Sequence, residues 1–136
     1  MAYLKTNYNQ KIAFKANKGK SPTIIFIHGL NSDMEGLKSI NLNKFTKKNN
    51  LKYVRFDCRG HGKSFGKFEE FTITDWKNDL INVIDNLTKG PIILVGSSMG
   101  GWLMFLAAKA RSKRIIGLIG LAAAVDFGND LFKNLT

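Results

Sequence analysis

A serine set between glycines in the pattern G-x-S-x-G can sit on a sharp strand-to-helix turn, where its hydroxyl is free to attack a carbonyl carbon. The sequence contains the pattern twice, at Gly62-Lys63-Ser64-Phe65-Gly66 and at Gly96-Ser97-Ser98-Met99-Gly100. The first follows a loop and runs into the polar Lys67-Phe68-Glu69-Glu70, so it is expected to be loop as well. The second follows the apolar run Ile92-Ile93-Leu94-Val95 directly and leads into a helical stretch from Trp102 to Arg111, which is the context the chemistry requires. The register of the pattern selects Ser98 and not Ser97.

Other chemistry fails on individual positions. Gly62-Lys63-Ser64 has the ending of a phosphate-binding loop, but its required first glycine falls on Asp57; Gly60-His61-Gly62 opens a dinucleotide fingerprint whose third glycine falls on Phe65. One cysteine, Cys58, and two histidines, His28 and His61, offer no metal-ligand spacing, and no helix start or neighbouring base activates the thiol.

The elements that must position Ser98 alternate along the chain. Lys11 to Lys15 reads as a leading strand, Gly19-Lys20-Ser21-Pro22 as a turn, and Thr23 to Ile27 as a strand buried on both faces. Ser32-Asp33-Met34-Glu35 matches a capping box and predicts a helix from about Met34 to Lys48. Tyr53 to Phe56 is the next strand. Thr72-Ile73-Thr74-Asp75 is a second capping box, and Trp76, Leu80, Val83, Ile84 and Leu87 recur at helical spacing behind it. Ile92 to Val95 and Ile115 to Leu121 complete the strands. The alternation predicts an α/β fold with a mostly parallel sheet, helices on both faces and chemistry at the C-terminal strand ends.

The chain has 136 residues, 44% hydrophobic and 23% charged, enough for one domain-sized core and too apolar for a disordered chain. A net charge of +11 raises nucleic acid or an anionic surface as a partner. The lysines are scattered, however, and few aromatic residues alternate with them, so no specific nucleic acid is expected. No apolar run approaches a membrane span or a signal-peptide core, and a lone cysteine fits a reducing compartment; the expected location is cytoplasmic.

With His28-Gly29 after one strand and Asp57-x-Arg59-Gly60-His61-Gly62-x-Ser64 after the next, the Gly96 to Trp102 turn resembles the α/β-hydrolase superfamily. The stretch from Gly96 to Phe127, with Ala107-Ala108 and Ile119-Gly120-Leu121-Ala122-Ala123, is similar more narrowly to the acyl-protein thioesterase and acyl-glucuronide esterase branch. The resemblance implies hydrolysis of a small acyl ester or thioester through an acyl-enzyme, with no cofactor. Ser98 would be the nucleophile, and the backbone N–H groups of Met99 and Leu30 would hold the oxyanion.

In that superfamily the catalytic histidine follows the acid late in the chain. His28 and His61 are therefore expected to be structural, and the catalytic histidine to be absent from these residues. Asp126 is the candidate acid, although the usual position lies beyond Thr136. The resemblance further implies that residues 1–136 are the N-terminal part of a single domain, truncated after about the sixth strand, with the last strands and lid outside it. A complementing C-terminal polypeptide is then the expected partner, and the isolated chain is expected to be inactive. The alternative is a non-catalytic basic α/β module that binds an acidic partner.

Overall fold

The computed structural model describes residues 2–121. Six strands, β1 (Ala2–Lys5), β2 (Lys11–Asn17), β3 (Lys20–Ile27), β4 (Leu51–Phe56), β5 (Ile92–Ser97) and β6 (Ile115–Leu121), form one sheet in the order β1-β2-β4-β3-β5-β6. The helices are α1 (Leu37–Lys48), α2 (Ile73–Leu87) and α3 (Met99–Ala110). Strands β4, β3, β5 and β6 run parallel, as the alternation predicts, while β1 and β2 are antiparallel to their neighbours. β1, with the burial of an exposed edge, carries too short and too polar a pattern to be predicted.

The continuous apolar run of β3 is explained by burial on both faces. Ile25 and Ile27 join Phe56, Leu94, and the Leu80, Val83, Ile84 and Leu103 side chains of α2 and α3. Ile24 and Phe26 pack with Tyr53, Val95 and Leu42 of α1 on the opposite face. Each of these aliphatic side chains contributes about 1.5–3 kcal/mol by leaving water.

α2 starts at the predicted box: Thr72 Oγ1 accepts from the Asp75 N–H and the Asp75 carboxylate accepts from the Thr72 N–H at 2.8 Å. α1 does not. It begins at Leu37 with Gly36 as its cap: the Glu35 N–H that the box needs donates to the Asp33 carboxylate at 2.8 Å, the Met34 N–H donates to the Asp57 carboxylate at 2.8 Å, and the Glu35 carboxylate pairs with Lys15 and Arg55. A neighbouring carboxylate and two cations have taken the groups the box would use.

Candidate active site

Ser98 is the single residue between β5 and α3, with φ 53° and ψ −117°. That conformation is rare for a residue with a Cβ and stores on the order of 1–3 kcal/mol of strain, held in place by the surrounding packing. The packing is atomic. A Cβ on Gly96 would overlap the Gly100 carbonyl, and one on Gly100 would overlap the carbonyl of Ile27 in β3. The glycines thus allow α3 to start directly against two strand ends, and the first N–H groups of a helix have no partner within it. α3 begins at Met99, before the predicted Trp102, so the Met99 N–H stands at that free end.

The turn after β3 faces the same point. An added Cβ on Gly29 would lie 3.2 Å from Ser98 Cβ and 3.9 Å from Ser98 Oγ, so the bare backbone of Gly29 leaves open the space before the hydroxyl. Leu30 follows Gly29 and, with Met99, borders an apolar cavity of about 310 Å³. Ser98, Met99 and Leu30 are therefore gathered at one rim. A larger hollow of about 760 Å³, bordered by Asn17, Lys52 and Lys89, contains none of them.

Both histidines are bound into the scaffold. His28 Nδ1–H donates to the Gly29 carbonyl at 2.7 Å and Nε2 accepts from the Cys58 N–H at 3.0 Å, which fixes a neutral tautomer; burial holds its pKa down at about 4. His61 Nδ1–H donates to the Arg59 carbonyl at 3.2 Å, its ring lies 4.7 Å from that of His28, and burial lowers its pKa as well. Its Nε2 is buried without a partner among the described residues. The Asp57 carboxylate accepts from the Met34 and Lys63 N–H groups, and burial raises its pKa against those bonds.

Ser64, the serine of the first pattern match, donates to the Asp57 carbonyl at 2.6 Å and accepts from the Ala13 N–H at 2.8 Å, a tie between loop and β2. Cys58 is fully buried and burial pushes its thiol well up, away from nucleophilic use. Asp126 lies outside the described residues.

The sequence reading missed Arg59 and Asp79. Arg59 N–H and Nε–H donate to the Asp79 carboxylate at 2.9 and 2.7 Å, and both residues are buried. A signal was present: Asp79 stands between Trp76 and Leu80 on the one apolar stripe of α2, where a carboxylate needs a buried donor. Lys38 was missed too. Its Nζ donates to Ser97 Oγ at 3.3 Å, tying α1 to the residue before the elbow.

The family described as serine aminopeptidase S33 matches residues 19–136. The mitochondrial palmitoyl-protein thioesterase ABHD10 of Bos taurus is 50% identical over 115 residues, which are 85% of this chain and 38% of that protein. The solved structure of mouse alpha/beta hydrolase domain-containing protein 10 superposes with a TM-score of 0.88 at 43% identity, covering 90% of this chain and 49% of that one. Est1E from Butyrivibrio proteoclasticus, solved with ferulic acid bound, gives 0.85 at 28% identity over 92% of this chain and 53% of its own. The chain spans about two-fifths of the length of the curated ABHD10 relatives.

The cytoplasmic expectation is corrected by these relatives, since the bovine, mouse and human proteins are all named as mitochondrial. Cysteine count and the lack of an apolar run bear on redox environment and secretion; they do not separate one reducing compartment from another. Among the described residues no helix is long and apolar enough to cross a membrane.

Proposed function

The chain belongs to the serine aminopeptidase S33 family of α/β-hydrolases, and from that membership we propose that it carries the nucleophile and oxyanion hole of a carboxylic ester or thioester hydrolase. The observation that carries the reading is Ser98 alone at φ 53° between β5 and α3, with the bare turn at Gly29 before its hydroxyl. The 43–50% identity to palmitoyl-protein thioesterases favours an acyl thioester over a peptide as substrate, and mitochondria as the compartment.

Ser98 Oγ attacks the acyl carbonyl carbon as its proton passes to a base, and the carbonyl oxygen becomes an oxyanion held by the Met99 and Leu30 N–H groups. The free end of α3 favours that charge, and losing one such donor typically costs about 3–4 kcal/mol in the transition state. Collapse expels the thiol or alcohol and leaves the acyl group on Ser98, from which water releases the acid. Neither histidine is read as the base: both ring nitrogens of His28 are occupied, and His61 is buried, held at Nδ1 by the Arg59 carbonyl and packed against the His28 ring. The base is a group other than His28 and His61, and the C-terminal remainder of the domain, as the relatives carry it, would supply it.

A fluorophosphonate probe tests this directly. Co-expressed with the part of the bovine relative that it does not match, the chain is expected to become labelled, and Ser98→Ala to lose the label completely. A chain that stays unlabelled in every combination and binds polyanions with a steep salt dependence would instead be the non-catalytic basic module.

A further inference from the structure

The hollow of about 760 Å³ lies at the end of the parallel strands opposite to Ser98, between the start of β4, the end of β2 and the last turn of α2. Its floor is apolar, made by Ala16 of β2, Val54 of β4 and Leu87 of α2. Three lysines border it from three separate segments: Lys18 in the turn after β2, Lys52 in β4 and Lys89 in the turn between α2 and β5. The fold, and not their order in the chain, groups them.

The backbone that carries these lysines is fixed. A Cβ on Gly19 would overlap the carbonyl group of Leu51, so the turn after β2 is pressed against the start of β4, and the Lys20 N–H donates to the Asn50 carbonyl at 2.6 Å. On the other side the Thr23 N–H donates to the Pro91 carbonyl at 3.1 Å. A ligand therefore has to order side chains only, which lowers the entropic cost of binding.

The charge of the hollow is unbalanced. Among the described residues its one carboxylate, Asp85, is engaged by Arg111 through two bonds of 2.9 and 2.7 Å, which hold its pKa below the usual carboxylate range. The negative end of α2 is answered by Arg114, whose Nη1 donates to the Ile84 carbonyl at 3.0 Å and whose Nε donates to the Gly90 carbonyl at 3.1 Å. Lys18, Lys52 and Lys89 form no ion pair among the described residues. Like charges gathered at one hollow favour an anion between them.

Size and charge select the class of anion. The volume falls within the roughly 300–1,000 Å³ of small-molecule sites and is far larger than one phosphate ion. A carboxylate brings a single negative charge and a phosphomonoester about two, so three lysines match a diphosphate better than a fatty acid. Lysine, a compact charge on a long stem, suits phosphate oxygens. The apolar floor gains only from a ligand that also has an apolar body to lay on it.

We propose that this hollow binds a diphosphate ester with an apolar body, its phosphates between Lys18, Lys52 and Lys89 and its body over Ala16, Val54 and Leu87. A nucleoside diphosphate and a prenyl diphosphate share that chemistry. The site stands apart from Ser98 and does not depend on the acyl-enzyme reading.

Isothermal titration calorimetry of the chain at physiological ionic strength, with ADP, geranyl diphosphate and inorganic pyrophosphate, tests the proposal. At least one ester is expected to bind one to one, and pyrophosphate at least about tenfold more weakly, because it lacks the body. Lys18→Gln with Lys52→Gln and Lys89→Gln should weaken that ester by about tenfold or more, with circular dichroism retained because all three side chains are exposed. Lys44→Gln with Lys47→Gln and Lys48→Gln on α1 removes the same net charge outside the hollow, and should alter the affinity by less than about twofold. Where the first triple variant does not fold, the ester-to-pyrophosphate ratio of the parent decides. Binding of ADP alone assigns the site to nucleotides, of geranyl diphosphate alone to prenyl diphosphates, and of both to the class. Absence of saturable binding of either ester, pyrophosphate as tight as the esters, or equal weakening by the two triple variants overturns the proposal, whatever the fluorophosphonate labelling of Ser98.

Discussion

His28 receives one hydrogen bond and gives another, so neither ring nitrogen is free to take a proton without breaking a contact of the rim. Burial keeps its pKa at about 4 against 6.5 in an open chain. Between those values the unfolded chain binds a proton that the folded chain refuses. The stability involved, on the order of 3 kcal/mol, is fully present above about pH 6.5 and is lost as pH falls toward 4. Asp79 acts with opposite sign. Burial raises its pKa from 3.8 to about 6, so its contribution is greatest below 3.8 and is lost as pH rises through 6. Because the two oppose each other in a global melt, the direct check is the ring resonance of His28 by NMR, expected to titrate near pH 4; a midpoint near 6.5 would contradict the buried neutral tautomer. At this scale the elbow was legible because five consecutive residues define it. The roles of His28 and Ser64 were legible only as exclusions, since their partners at Cys58 and Ala13 lie far away in sequence.

α2 was the most legible element, since its cap and its apolar stripe are both local patterns. What the pattern could not reveal is that Asp79 on that stripe meets Arg59 from the loop after β4, a pairing made by the sheet and not by the helix. Removing one partner of such a pair leaves an uncompensated buried charge. Asp79→Ala is expected to cost about 3–5 kcal/mol, read as a shift of the urea unfolding midpoint with the slope unchanged. A loss under about 1 kcal/mol would mean that water reaches Arg59. α1 teaches the converse lesson: Ser32 to Glu35 has the letters of a capping box, but the Asp33 carboxylate takes the Glu35 N–H and Lys15 and Arg55 take the Glu35 carboxylate. A hydroxyl acceptor yields to charged groups within reach of the same atoms.

Across the whole molecule the parallel core followed from alternation, while the sheet order and the antiparallel pairing of β1 and β2 did not, because β1 is an exposed edge strand with little apolar signature. β6 leaves Ile116 and Ile119 about half exposed or more on the last described strand, at 63% and 49%. Apolar strand edges of this kind promote pairing between molecules. The double substitution Ile116→Lys with Ile119→Lys is expected to increase the monomer fraction in sedimentation velocity; a parent chain that sediments wholly as monomer at the same concentration would contradict it. β3 pairs with β5 so that Ile27 stands beside Gly96, which brings together two turns that lie about seventy residues apart in the sequence. Parallel pairing over such a span is entropically slow. The approach of Gly29 to Ser98 thus has no local precursor in the newly made chain, and during refolding its first appearance would time the zippering of those two strands.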